Sequence, residues 1–159
     1  MIWKEGKIDG VRIGPVNKNV DQRGWLAEIF RADEMPEDAM PVMGYISVTK
    51  PGVARGPHEH REQTDTFGFI GPGSLRIMLW DNRKTSSTYG TMQTIDAGDV
   101  NPVIVMVPPG VVHGYRNVLT TDAMVLNFPN RLFAGRGKKL PVDEIRYEDA
   151  KDTPFVMNG

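Results

Sequence analysis

Apolar and polar residues alternate along this chain in short runs, and turn-forming residues separate the runs. In Ser74-Leu75-Arg76-Ile77-Met78-Leu79-Trp80, the residues Leu75, Ile77 and Leu79 fall on one face of an extended segment. Asp81-Asn82-Arg83 then leads into a turn. Val103-Ile104-Val105-Met106-Val107 is a β-branched run closed by Pro102 and Pro108, and its length and prolines favour a strand over a buried helix fragment. Residues 45–49 and 124–128 read the same way. Helical periodicity is scarce: residues 33–38 and 143–147 have the composition of a short turn or helix, and little else does. Extended segments recurring between turns predict a mostly β chain folded as an antiparallel sandwich or barrel.

Composition narrows the picture. A length of 159 residues predicts one domain, residues 1–159. The 17 glycines and 12 prolines are spread throughout, so no linker divides the chain, and there is no repeat or low-complexity stretch. A net charge of −1 provides no field to attract nucleic acid or an anionic membrane, so a phosphate would have to be met by locally placed arginines. With no cysteine, disulfides, thiolate nucleophiles and Cys-ligated zinc are excluded. The start, Met1-Ile2-Trp3-Lys4-Glu5-Gly6, carries no signal peptide or membrane-spanning run, so a cytoplasmic protein without a membrane partner is expected. Arg131, Arg136, Lys138 and Lys139 beside Gly135 and Gly137 read as a solvated loop. Trp25 and Trp80 read as packing residues.

The chemistry gathers on the three histidines. His58 and His60 lie in Arg55-Gly56-Pro57-His58-Glu59-His60, and His113 lies in Pro108-Pro109-Gly110-Val111-Val112-His113-Gly114-Tyr115. Two residues apart on a strand, His58 and His60 point the same way with about 6.5–7 Å between them, so both rings line one cavity. Gly110 permits a tight turn that carries His113 toward a partner strand. Pro108-x-Gly110-x-x-His113-x-x-x-Asn117, with Gly52 six residues before His58, resembles the two cupin motifs. That resemblance implies a double-stranded β-helix, the cupin jelly roll, with a few short helices. In metal-binding cupins the corresponding ligands would be His58, His60, Asp65 and His113, a set suited to iron, manganese, zinc or nickel.

Further segments point away from metal. Asp21-Gln22-Arg23-Gly24-Trp25-Leu26-Ala27-Glu28, Arg55-Gly56-Pro57-His58, Trp80-Asp81-Asn82-Arg83 with Ser87-Thr88-Tyr89-Gly90, and Pro108 to Tyr115 follow in order. Together they resemble the dTDP-4-dehydrorhamnose 3,5-epimerase family, a branch of the cupins, from about residue 17 to about residue 155. The resemblance implies a cofactor-free epimerase or isomerase of deoxysugar biosynthesis, acting on a nucleotide-activated 4-keto-6-deoxy sugar. A ketone acidifies its neighbouring C–H, and the enolate still needs a positioned base and charge stabilisation.

By the same resemblance His58 would be the base, and Asp149 would orient it. His113 and Arg55 would face the ketone and the enolate oxygen, Arg23 the pyrophosphate, and Glu28 the nucleotide base, with His60 also facing the substrate. A homodimer is implied too, because members of the family exchange N-terminal strands across a two-fold axis. Three positions depart from the family pattern. Phe133 stands where a proton-donating tyrosine is expected, Thr66 or Phe67 where a lysine is expected, and His60 where glutamine is usual. His60 or Tyr115 could replace the acid. The Arg-Gly-x-His-x-His run also resembles the sugar 3,4-ketoisomerases, which move the ketone. A metal-dependent oxygenase or isomerase and a non-catalytic sugar-nucleotide binding protein remain the alternatives.

Overall fold

The computed structural model describes residues 2–157. Its strands are β1 Lys4–Glu5, β2 Arg12–Pro15, β3 Asn19–Asp21, β4 Gly24–Leu26, β5 Tyr45–Thr49, β6 Ala54–Glu59 and β7 Asp65–Phe69. They continue with β8 Ser74–Asp81, β9 Thr91–Gly98, β10 Val103–Val107, β11 Val111–Asn117, β12 Ala123–Asn127 and β13 Ile145–Arg146. Six form one sheet in the order β1-β9-β8-β11-β6-β13, five form a second in the order β2-β10-β7-β12-β5, and β3-β4 is a separate hairpin. The architecture is the expected double-stranded β-helix. No described helix is long and apolar enough to cross a membrane.

The core lies between the two large sheets. Leu75, Ile77 and Leu79 of β8 meet Phe67 and Phe69 of β7 and Val103, Val105 and Val107 of β10. Alternation on β10 and β12 sends every second residue inward, as the β-branched runs require. β8 departs from simple alternation, because Met78 and Trp80 on its other face are buried as well. Val112, Phe155 and the partly buried Trp3 and Tyr147 pack there, so both chain ends wrap the outer side of this sheet. Residues 33–38 yield a 3-10 turn at Glu37–Ala39. Residues 143–147 are not helical: Ile145 and Arg146 pair with Glu59 and His58 at the open edge of β6. That edge takes the backbone hydrogen bonds a helix would have closed internally.

Candidate active site

β6 and β11 set the histidines opposite each other. His113 pairs directly with His58, and the register shifts between His113 and Tyr115. Glycine permits this close approach. A Cβ on Gly56, whose φ is +78°, would stand 2.7 Å from the His113 carbonyl oxygen, and one on Gly114 would stand 2.8 Å from that of Arg55. The His58 and His113 ring centroids are 4.4 Å apart, and those of His58 and His60 are 5.4 Å apart. Asp65, at the start of β7, joins them. The donor atoms of His58, His60, Asp65 and His113 all lie within 4.8 Å of one another.

Charge and burial define this cluster. Asp65 is 1% exposed and His113 is 3% exposed. Burial pushes the Asp65 carboxyl up, but His113 and His60 beside it outweigh that and hold it below the usual carboxylate range. Burial lowers His60 while Asp65 and the Asp143 carbonyl raise it, and the net shift is upward. His58 is brought down to about 2 by burial and then by the neighbouring His113 and His60, so its imidazole is neutral. Behind it, Glu144 Oε1 lies 3.8 Å from His58 Nδ1.

A cleft of about 1030 Å³ opens above this cluster. His58 and His60 lie on its floor, and Tyr45, Phe133 and Glu144 line it together with Arg131, Arg136, Lys138 and Arg146. The basic loop read as solvated therefore faces the cleft. Segment 129–146 forms the wall, fastened by Asp143. The carboxylate of Asp143 accepts the backbone N–H groups of Arg61, Glu62 and Gln63, and its carbonyl accepts from His60 Nδ1. Tyr45 Oη accepts a 2.7 Å hydrogen bond from Asn127 Nδ2. Burial, with Asp65 nearby, pushes the Tyr45 phenol up to about 12, so it keeps its proton.

Other residues singled out in the sequence lie elsewhere. Asp149 is exposed in the turn after β13, and the carboxylate beside His58 is Glu144 instead, because β13 pairs with β6 and carries Glu144 alongside. Arg23 is exposed on the β3–β4 hairpin and paired with Asp21. Glu28 lies on a smaller cavity of about 390 Å³ with Arg31. Arg55 spends its guanidinium on Thr49 Oγ1 and the Val48 carbonyl. Tyr115 is buried with its hydroxyl on Ser47 Oγ at 2.9 Å. Thr66 and Phe67 are both buried in β7, so no cation stands at that position. Sequence reasoning missed Tyr45 and Glu144.

Comparison with known proteins agrees with this architecture. The dTDP-4-dehydrorhamnose 3,5-epimerase family model matches residues 5–140. The chain is 33% identical over 127 residues to the probable low-salt glycan biosynthesis epimerase Agl13 of Haloferax volcanii, covering 79% of this chain and 81% of that one. It is 35% identical over 123 residues to the spore coat polysaccharide biosynthesis protein SpsL of Bacillus subtilis, covering 76% and 79%. Among solved structures, a dTDP sugar isomerase from Desulfovibrio desulfuricans superposes with a TM-score of 0.78 at 22% identity, covering 94% of this chain and 91% of that one.

Proposed function

The chain belongs to the dTDP-4-dehydrorhamnose 3,5-epimerase family and is an enzyme of nucleotide-activated sugars. From that premise we propose that it epimerises a nucleotide-linked 4-keto-6-deoxy sugar in deoxysugar or polysaccharide biosynthesis, using His58 as the base. The observation that carries this reading is an imidazole on the floor of a cleft, with a carboxylate oxygen 3.8 Å behind its Nδ1.

His58 takes the proton from a carbon beside the ketone; the C–H bonding pair becomes the C=C bond of the enolate and the carbonyl π pair moves onto the ketone oxygen. Glu144 stabilises the imidazolium that forms, the role the family resemblance assigns to Asp149. Protonation on the opposite face then inverts the centre. Phe133 lines the cleft but has no proton to give, and Tyr115 is engaged with Ser47. Tyr45 is suited to donate that proton, because its oxygen accepts from Asn127 and its own O–H is left free to point into the cleft it lines.

Arg131, Arg136 and Lys138 supply positive charge for the diphosphate of the nucleotide. Arg23 and Glu28 lie away from the cleft of their own chain, and a homodimer would let the exposed β3–β4 hairpin serve the partner's cleft. A cytoplasmic location belongs to the same reading.

Proton NMR of dTDP-4-keto-6-deoxyglucose in D₂O with the purified protein tests this. Deuterium should enter the sugar at its third or fifth carbon, and His58→Ala should abolish the exchange. Tyr45→Phe should still exchange the proton that His58 removes and returns, while the inverted product disappears. Binding without exchange in the wild type would sink the proposal and leave a sugar-nucleotide binding protein.

A further inference from the structure

Glu59 stands between His58 and His60 on β6 but faces the other side of the sheet, away from the proposed reaction. It is 7% exposed. Its Oε1 accepts a 2.6 Å hydrogen bond from Tyr147 Oη, and Asn82 Nδ2 reaches both carboxylate oxygens at 3.3 Å. Burying a carboxylate carries a desolvation cost that an apolar residue there avoids, and the bond from Tyr147 offsets it.

Tyr147 lies just past β13. The pleat sends Glu144 and Arg146 to the cleft and Tyr147 to the outer side of the sheet, where its ring packs on Phe155 with centroids 4.6 Å apart. β6 divides in the same way, with His58 and His60 on the cleft floor and Glu59 behind them. The β6–β13 pair therefore carries one cross-strand contact on each face. His58 meets Glu144 toward the substrate, and Glu59 meets Tyr147 away from it.

β13 has little else to hold it after Arg146. It is two residues long, with Ile145 opposite Glu59 and Arg146 opposite His58, and the Tyr147 N–H adds a 2.9 Å bond to the Pro57 carbonyl. Asp143 fastens the chain before Glu144. After it, the exposed Glu148 accepts the Gly56 N–H at 3.0 Å, whereas the Tyr147–Glu59 bond lies against a buried carboxylate, where a hydrogen bond is stronger than in water. A displacement of about 1 Å in a reacting group is enough to cost about 100-fold in rate.

We infer that Tyr147 and Glu59 are positioning residues: their hydrogen bond on the outer face of β6 pins β13 so that Glu144 stays at His58 on the inner face. Their effect on the reaction rests on the epimerase reading, while the pin itself does not.

Steady-state kinetics of epimerisation and backbone amide hydrogen–deuterium exchange, read by mass spectrometry, test the inference on the same variants. Tyr147→Phe keeps the ring on Phe155 and removes only the O–H. It should lower kcat at least about tenfold with KM within about threefold of wild type. Glu59→Leu should do the same, while Glu59→Gln, which keeps an oxygen for Tyr147, should stay within about threefold of wild type. Tyr147→Phe combined with Glu144→Gln should be within about threefold of Glu144→Gln alone, because both act through one carboxylate. Amide exchange in Tyr147→Phe should rise over residues 144–148 while β8 and β11 stay protected, which also shows that the variant folds.

Unchanged kcat in Tyr147→Phe overturns the inference, and so does a loss that multiplies that of Glu144→Gln. No turnover and no deuterium entry into the sugar with the wild type defeats the epimerase reading instead. Amide exchange then decides the pin alone: a rise confined to residues 144–148 upholds it, and no rise overturns it.

Discussion

Glu144 sits between Asp143 and Ile145, four places before the acidic pair Glu148-Asp149, and it faces His58 Nδ1 at 3.8 Å. In the proposed reaction a carboxylate there stabilises the imidazolium without touching the sugar, so its effect belongs to turnover and not to binding. Glu144→Gln should lower kcat about 100-fold and leave KM within about threefold, whereas Asp149→Asn should change neither; steady-state kinetics reads both. His58, His60 and His113 were legible in the sequence because each sits at a strand end marked by glycine or proline. Asp65 was legible through its spacing from His60. Glu144 and Tyr45 were not, because pairing distant in sequence brings them in: β13 against β6, and β5 against β12. A carboxylate in an acidic run reads as solvated surface until such a pairing turns it inward.

At the scale of elements, the end of β8 shows how polar residues fix a turn that hydrophobic pattern alone leaves loose. Asp81 is fully buried and accepts from Arg83, Ser86 Oγ and Thr88 Oγ1, while Arg83 also reaches the Asp9 carbonyl. Burial raises this carboxyl, but those donors outweigh it and hold it near about 2, below its ordinary value of 3.8. A depressed carboxylate contributes stability that is complete above its unfolded value and fades as pH falls from about 4 toward about 2. The difference is about 2 kcal/mol. Asp81→Asn should lower Tm by about 4–8 °C at pH 7, with the gap from wild type closing below about pH 3 in thermal melts followed by circular dichroism. Strands 45–49 and 103–107 were readable because their residues are β-branched or alternate. The two-residue β13 was not, since an edge and not its own composition makes it a strand.

Across the whole molecule, the outer side of the β2-β10-β7-β12-β5 sheet is apolar. Ile46 and Val48 of β5 are 62% and 50% exposed, opposite Leu126 and Met124 of β12. On the separate hairpin, Val20 is 77% and Leu26 67% exposed. Contiguous exposed apolar surface marks an interaction site. The wild type should therefore sediment as a two-chain species at micromolar concentration. The double variant Ile46→Asp, Val48→Asp should sediment as a single chain, with kcat/KM reduced at least tenfold as the contribution proposed for Arg23 and Glu28 in the partner's cleft is lost.

Asp143 adds an evolutionary consequence. The residues proposed to carry out proton transfer belong mainly to the barrel, while much of the cleft wall belongs to segment 129–146, anchored beside them by Asp143, by Asn130 and by the pairing of β13 with β6. Selection can rewrite residues 131–140 to admit a different sugar or nucleotide while the inherited reaction centre stays intact. Asp143 itself has no such latitude, so lineages of this enzyme can diversify in what they accept long before they change what they do.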